Sequence, residues 1–175
     1  MSEHEPGSEQ ESKGSDSKAS TVELYEKMSK IFREKFERAG SLSEEAFEKA
    51  MSETREWGER MRDNYGDDVS KVTEFIRRDW HDAIRFTREQ TRRSFDLERL
   101  QAGAMDLISR LAKSAGTQLE DFASRISERL TYKTGEIAGA GTLQCIKCEQ
   151  NLILDKATRI PPCPKCHNTL FRRSY

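Results

Sequence analysis

Apolar residues recur at intervals of three and four from about residue 20 to residue 130, the spacing of amphipathic helices. The first stripe is Leu24, Met28, Ile31, Phe32, Phe36 and Ala39. Ser20 and Glu23 stand in capping-box spacing at its start, and Gly40 is placed to end it. Ser41 and Glu44 repeat the box before a second stripe, Phe47, Ala50, Thr54, Trp57, Met61 and Tyr65, which Gly66 closes. Its alternation of three and four is that of a helix lying along a near-parallel neighbour, as in a coiled coil. A third stripe, from Asp67, holds Val69, Val72, Ile76, Trp80, Ala83 and Phe86. A fourth holds Leu97, Leu100, Ala104, Ile108, Leu111 and Ala115, up to Gly116. The apolar signal lapses between Thr87 and Ser94, which places a break near Ser94. Thr117 and Glu120 then cap a fifth helix bearing Leu119, Phe122, Ile126 and Leu130.

The pattern changes at Thr131. The following TYKTGEIAGAGTLQC carries glycines at 135, 139 and 141 and no helical period. Ahead of the helices, residues 1–19 contain no large apolar residue after Met1 and read as a disordered acidic tail. The expected organisation is mainly α: a disordered tail (1–19), a charged helical hairpin or bundle (20–131), and a small C-terminal β module (132–175). With 34% hydrophobic and 35% charged residues, the helices are expected to carry narrow apolar stripes rather than to bury a large uniform core.

The formal net charge of −1 is unevenly spread. Residues 1–19 carry five acidic residues against two lysines, and residues 132–175 carry seven basic residues against three acidic ones. That surplus is too small to mark a nucleic-acid binder by itself. No apolar run approaches the roughly 20 residues of a membrane-spanning helix. The polar N-terminus lacks the apolar stretch of a signal peptide. A cytoplasmic location with reduced thiols is therefore expected, where paired cysteines more often hold metal than form disulfides.

The four cysteines form two Cys-x-x-Cys pairs, Cys145/Cys148 and Cys163/Cys166, separated by the 14 residues from Glu149 to Pro162. Each pair can offer two thiolates from one tight turn, and two turns fill the tetrahedral shell of a closed structural zinc site. The segments also echo each other at an offset of 18, with Cys145, Lys147, Cys148 and Leu152 matching Cys163, Lys165, Cys166 and Leu170. One Zn2+ per chain, bound by Cys145, Cys148, Cys163 and Cys166 in a zinc ribbon, is the expectation. Leu143, Leu152, Leu154, Ile160, Leu170 and Phe171 would supply its few apolar contacts. A module this small needs the ion to stay folded.

Iron is the rival metal. Cys163-Pro164-Lys165-Cys166 looks like a rubredoxin knuckle, which would imply electron transfer. However, Glu149 and His167 follow the pairs where such knuckles favour glycine. A rubrerythrin-type di-iron bundle would need two Glu-x-x-His pairs. His81 is the one histidine within a predicted helix, and Arg78 stands three residues before it. His167 is expected to be exposed, since four thiolates already fill a shell.

At TGEIAGAGTLQCIKCEQ and PPCPKCHNTLFRR the chain resembles the YbeL-like bacterial zinc-ribbon proteins. The match lies in Thr134, Gly135, Glu136, Gly139, Gly141, Leu143 and the four cysteines, and Ile76-Arg77-Arg78-Asp79 resembles that family's arginine-arginine-aspartate run. Glu149, His167 and the longer acidic N-terminus depart from the pattern. The resemblance implies a bacterial protein with a helical region before a ribbon. It implies no particular reaction.

Two further signals bear on partners. Arg78, Arg85, Arg88 and Arg92 lie along one helical face, readable as a phosphate-binding stripe or as a solvated face paired with Asp79, Asp82 and Glu89. Tyr132, Phe171 and Tyr175 in a basic module could stack bases or simply cover the metal. No Ser–His–acid set and no phosphate-cradling glycine loop is legible. The expected function is that of a non-enzymatic interaction or adaptor protein, with a protein partner or a homo-oligomer formed through the helices. Weak nucleic-acid binding through the ribbon and a rubredoxin-like iron redox module are the alternatives.

Overall fold

The computed structural model describes residues 13–61, 65, 68–92, 107, 108, 110, 111, 122, 123 and 130–174, with the side chains of 13–20 and 88–92 left aside. Among the described residues, three helices with defined bounds come first, α1 (Lys13–Ala39), α2 (Glu44–Arg60) and α3 (Asp68–Arg92), and residues 107, 108, 110, 111, 122 and 123 are also helical. A small antiparallel strand module follows, which is the expected order.

The helix ends depart from the capping-box reading. Helix α1 begins at Lys13, inside the stretch expected to be disordered, so Ser20 lies within the helix and does not cap it. Gly40 ends α1 as expected, at φ +63°, a left-handed conformation that glycine adopts without steric cost. Helix α2 is capped by Ser43 rather than Ser41, its hydroxyl accepting from the Ala46 N–H at 3.2 Å. The helix stops at Arg60, so Met61 and Tyr65 lie beyond its end. Gly66, the expected break near Ser94 and the cap at Thr117 fall outside the described residues.

The stripes meet in one aromatic core. The Phe32 ring lies 5.5 Å from Phe36, 5.2 Å from Phe47 and 4.8 Å from Trp80, mostly edge to face. Leu24, Met28, Met51, Val69, Val72, Ile76 and Ile84 are buried around them, and Leu107, Ile108, Phe122 and Ala123 join the same cluster. Thr54, Thr73 and Thr87 are also buried. Each satisfies its hydroxyl by donating to the carbonyl four residues earlier, at 2.7–2.9 Å. Close approach at one crossing requires a glycine. A Cβ on Gly58 would sit 2.7 Å from Val69 Cγ1 and 3.2 Å from Met28.

The strand module comprises β1 (Tyr132–Lys133), β2 (Ile137–Ala138), β3 (Gly141–Cys145), β4 (Asn151–Leu154), β5 (Thr158–Arg159) and β6 (Leu170–Ser174). One sheet has the order β1-β6-β3-β4, and β2 and β5 form a separate two-stranded ladder. The strand after each cysteine pair, β4 and β6, flanks β3, matching the echo in the sequence. Tyr132, Ala138, Leu143, Leu154, Ile160 and Phe171 form a second core with Cys145 and Cys163. Leu170, expected inside, is exposed, because pairing Phe171 with Cys145 turns the preceding residue outward. Strand β1 starts at Tyr132, just after the change of pattern at Thr131, and the strand module packs against the helices. Ile137 belongs to the helical core, and Ala157 packs against it.

Candidate metal centre

Two matching turns build the cysteine site. In the first, the Glu149 N–H donates to the Cys145 carbonyl at 3.0 Å and the Cys145 N–H to Gln150 O at 2.9 Å. In the second, the His167 N–H donates to Cys163 O at 2.9 Å and the Cys163 N–H to Asn168 O at 3.0 Å. Glu149 and His167 take φ of +59° and +56°, the position at which the iron knuckle prefers glycine. Both are exposed, so neither side chain is confined by its surroundings. His167 lies outside the cluster of cysteines, as expected.

The turns bring Cys145, Cys148, Cys163 and Cys166 together with all four sulfurs within 4.8 Å of one another. Cys145 and Cys166 are 3.6 Å apart and Cys148 and Cys163 3.5 Å. A tetrahedron with metal–sulfur bonds of about 2.3 Å has edges of about 3.8 Å, so the donors fit a single tetrahedral ion. All four are free thiols.

Their electrostatics also fit a cation. Burial works to raise the Cys145 thiol, but the backbone N–H groups of Cys148 and Lys147 and the nearby sulfurs bring it down to about 6. Cys163 is lowered in the same way, against its burial, by Cys166 and Lys165. At Cys148 the Gln150 backbone acts downward, yet burial and the three neighbouring sulfurs push it up to about 12. Four thiolates this close repel one another, and a bound divalent cation would relieve that repulsion. The Asn168 side-chain amide adds a donor 3.5 Å from the Cys145 sulfur.

Comparison with known families agrees with this geometry. The zinc-ribbon containing domain model matches residues 34–175. The chain belongs to that family. No curated protein and no solved structure matches it. The match runs from within α1 to the last residue, so the family covers most of the helical part together with the ribbon.

The other candidate residues fall differently. Arg78 lies on neither a phosphate-binding stripe nor a solvated face, because its side chain is only 10% exposed against the ribbon. It pairs with Glu136, donates to the Ile137 carbonyl at 2.8 Å, and lies over the Tyr132 ring at 3.8 Å. Arg85 pairs with the buried Asp82 at 2.7 Å. Tyr132 and Phe171 are fully buried, which removes them as base-stacking platforms, and Tyr175 lies outside the described residues. Arg173 is turned inward, with its side chain 7% exposed. Arg172 stays at the surface, held by Gln144 at 2.7 and 3.0 Å.

Sequence reasoning missed the seam between helices and ribbon. Asp79 and Asp82 look like ordinary charges on a polar face, yet both are buried there. Asp79 meets Tyr25, Gly139 and Arg173, and Asp82 accepts from the Tyr132 hydroxyl at 2.8 Å. The one available signal was the pairing of an Arg-Arg-Asp run with a Thr-Gly-Glu turn in the same chain.

Proposed function

We propose that this is a zinc-binding, non-enzymatic interaction protein, whose ribbon is a structural element and whose helices offer the partner surface. The observation that carries the reading is the closed set of four thiols, two from each of two like turns, at the spacing of one tetrahedral shell. Such a shell leaves no coordination position for a substrate or an attacking water, so the ion supplies folding energy. Zinc is preferred over iron because Glu149 and His167 occupy the turn positions where an iron knuckle favours glycine. Nucleic-acid binding is the less favoured role, since Tyr132, Phe171 and Arg173 are all buried.

Among the described residues no helix is long and apolar enough to cross a membrane. A cytoplasmic, bacterial setting with reduced thiols is part of the proposal. So is association through the helices, either with a second copy or with another protein. The aromatic cluster closes within one chain, so any such contact uses what remains exposed, including half-buried Trp57.

Elemental analysis with an absorption spectrum of purified protein tests the central claim. One zinc per chain and no visible absorption support it. Iron with thiolate charge-transfer bands replaces it with a redox module. Sedimentation equilibrium of the wild type and Trp57→Glu tests self-association, and a wild-type monomer near 20 kDa would leave only a different protein as partner.

A further inference from the structure

The seam between helices and ribbon is organised around one carboxylate. Asp79 Oδ2 accepts from the Tyr25 hydroxyl of α1 at 2.7 Å and from the Gly139 N–H at 2.7 Å, and Arg173 Nη2 of β6 lies 3.3 Å away. Arg173 also donates to the Gly139 and Ala140 carbonyls at 3.1 and 3.3 Å. A Cβ on Gly139 would meet the Tyr25 hydroxyl at 3.0 Å and Asp79 at 3.4 Å, so the ribbon backbone is pressed directly onto the helices. The Glu136 pair with Arg78 closes one side of this contact.

Gly139 and Arg173, the ribbon groups that meet Asp79, are placed by strands tied to the cysteines. Strand β3 runs from Gly141 to Cys145 and begins two residues after Gly139. Strand β6 starts two residues after Asn168, which closes the second turn. The register Cys145↔Phe171 and Leu143↔Arg173 then sets where Arg173 lies relative to the metal ligands. The second core is too small to hold this register alone. Among the described residues, the aromatic core of the helices shares only Ile137 and Ala157 with the ribbon module.

The geometry points to a metal-dependent seat: zinc at the four cysteines fixes β3 and β6 so that Gly139 and Arg173 dock on Asp79, and loss of zinc releases the ribbon from α1 and α3 while the helices stay folded. Release is feasible because Tyr25, Asp79 and Asp82 would then meet water instead of lying buried and unpaired. The face that opens carries Tyr25, Arg78, Asp79 and Asp82. The inference rests on the zinc reading of the cysteines. Reciprocity follows from linkage, since a seat stabilised by zinc must in turn tighten zinc binding.

The test measures zinc affinity by chelator competition in full-length wild type, Asp79→Asn and Glu136→Gln. It also follows hydrogen exchange of the wild type with and without chelator. Asp79→Asn keeps the shape of the side chain and removes the charge facing Arg173. It should weaken zinc binding within the range of about 5- to 150-fold typical of coupled sites. Glu136→Gln should shift affinity in the same direction by a smaller factor. If Asp79→Asn fails to give native helical circular dichroism, Glu136→Gln decides. Chelation should abolish protection across 130–174 and leave 28–36 and 47–54 protected. Unchanged zinc affinity in the folded variants overturns the coupling. So does loss of protection throughout the helices, which would make the chain one unit with no seat to release. A wild type that binds no zinc refutes the zinc reading itself, and the metal analysis shows this separately.

Discussion

Acidification should destabilise this protein through His81 in particular. The imidazole packs 4.9 Å from the Phe47 ring and 6.2 Å from Phe122. Burial, reinforced by the charge of Arg77, depresses its pKa from an ordinary 6.5 to about 4, with Glu48 and Glu44 acting weakly the other way. Between these values the unfolded chain binds the proton and the native one does not, so stability rises with pH across that window. The contribution is fully present above pH 6.5 and is lost as pH falls towards 4. At about 1.4 kcal/mol per unit, a window of that width is worth about 3 kcal/mol, a large part of the 5–15 kcal/mol typical of a domain. Urea unfolding followed by tryptophan fluorescence between pH 7.5 and 4 measures it, with His81→Leu as the reference. Carboxylates held low by their partners, such as Glu23 beside Lys27 and Glu53 beside Lys35, lose stability in the same direction. Acid also strips metal from thiolates. Both effects act equally on the two proteins, so the difference between their curves isolates His81. Parallel curves would refute the argument.

Other outcomes follow from single contacts. Phe36→Ala removes a fully buried ring packed on Phe32, Phe47 and Trp80, and should cost about 3–5 kcal/mol in urea unfolding. Gly58→Ala gains about 1 kcal/mol of helix propensity but drives a Cβ into stiff, buried Val69. Because overpacking costs about 1–3 kcal/mol, the net effect should be a loss of about 1 kcal/mol, visible as a lower urea midpoint. Replacing any one of the four cysteines with serine should leave less than one zinc per chain after gel filtration while the helical circular-dichroism signal persists.

The helical stripes and the cluster of four cysteines were legible because each follows one local rule. A period of 3.6 picks out Leu24, Met28, Phe32 and Phe36, and a repeated Cys-x-x-Cys picks out the four clustered cysteines. Helix ends were less legible. Ser20 looks like a cap for α1 but lies within it, while Ser41 and Ser43 are both plausible caps for α2, on either side of the buried Leu42. Met51 and Gly58 lay outside the predicted second stripe, since the face widens where both α1 and α3 cover it. Least legible were the buried charges. Arg78, Asp79, Asp82 and Arg173 read as solvent-exposed in any single-helix or single-strand analysis, and contact between segments 50 to 94 residues apart hides them.

Those buried charges also explain why the resemblance in the helical part and the resemblance in the ribbon belong together. The Arg-Arg-Asp run and the Thr-Gly-Glu turn look like unrelated fragments along the chain. In space Arg78 pairs with Glu136, Asp79 takes the Gly139 N–H, and Arg77 reaches back to Glu48 of α2, with one of its bonds at 2.9 Å. Gly139 follows the turn closely enough to bring its backbone to Asp79, and it has no side chain to keep that backbone away. Each fragment therefore satisfies a buried group of the other. Removing Asp79 would take a buried carboxylate from both Arg78 and Arg173, which costs more than losing a surface pair. That asymmetry is the physical reason to treat the helices and the ribbon as one functional unit. The ribbon covers Asp79, and Asp79 in turn ties the ribbon to Tyr25 of the first helix; a metal at the four cysteines would act on this contact through the ribbon.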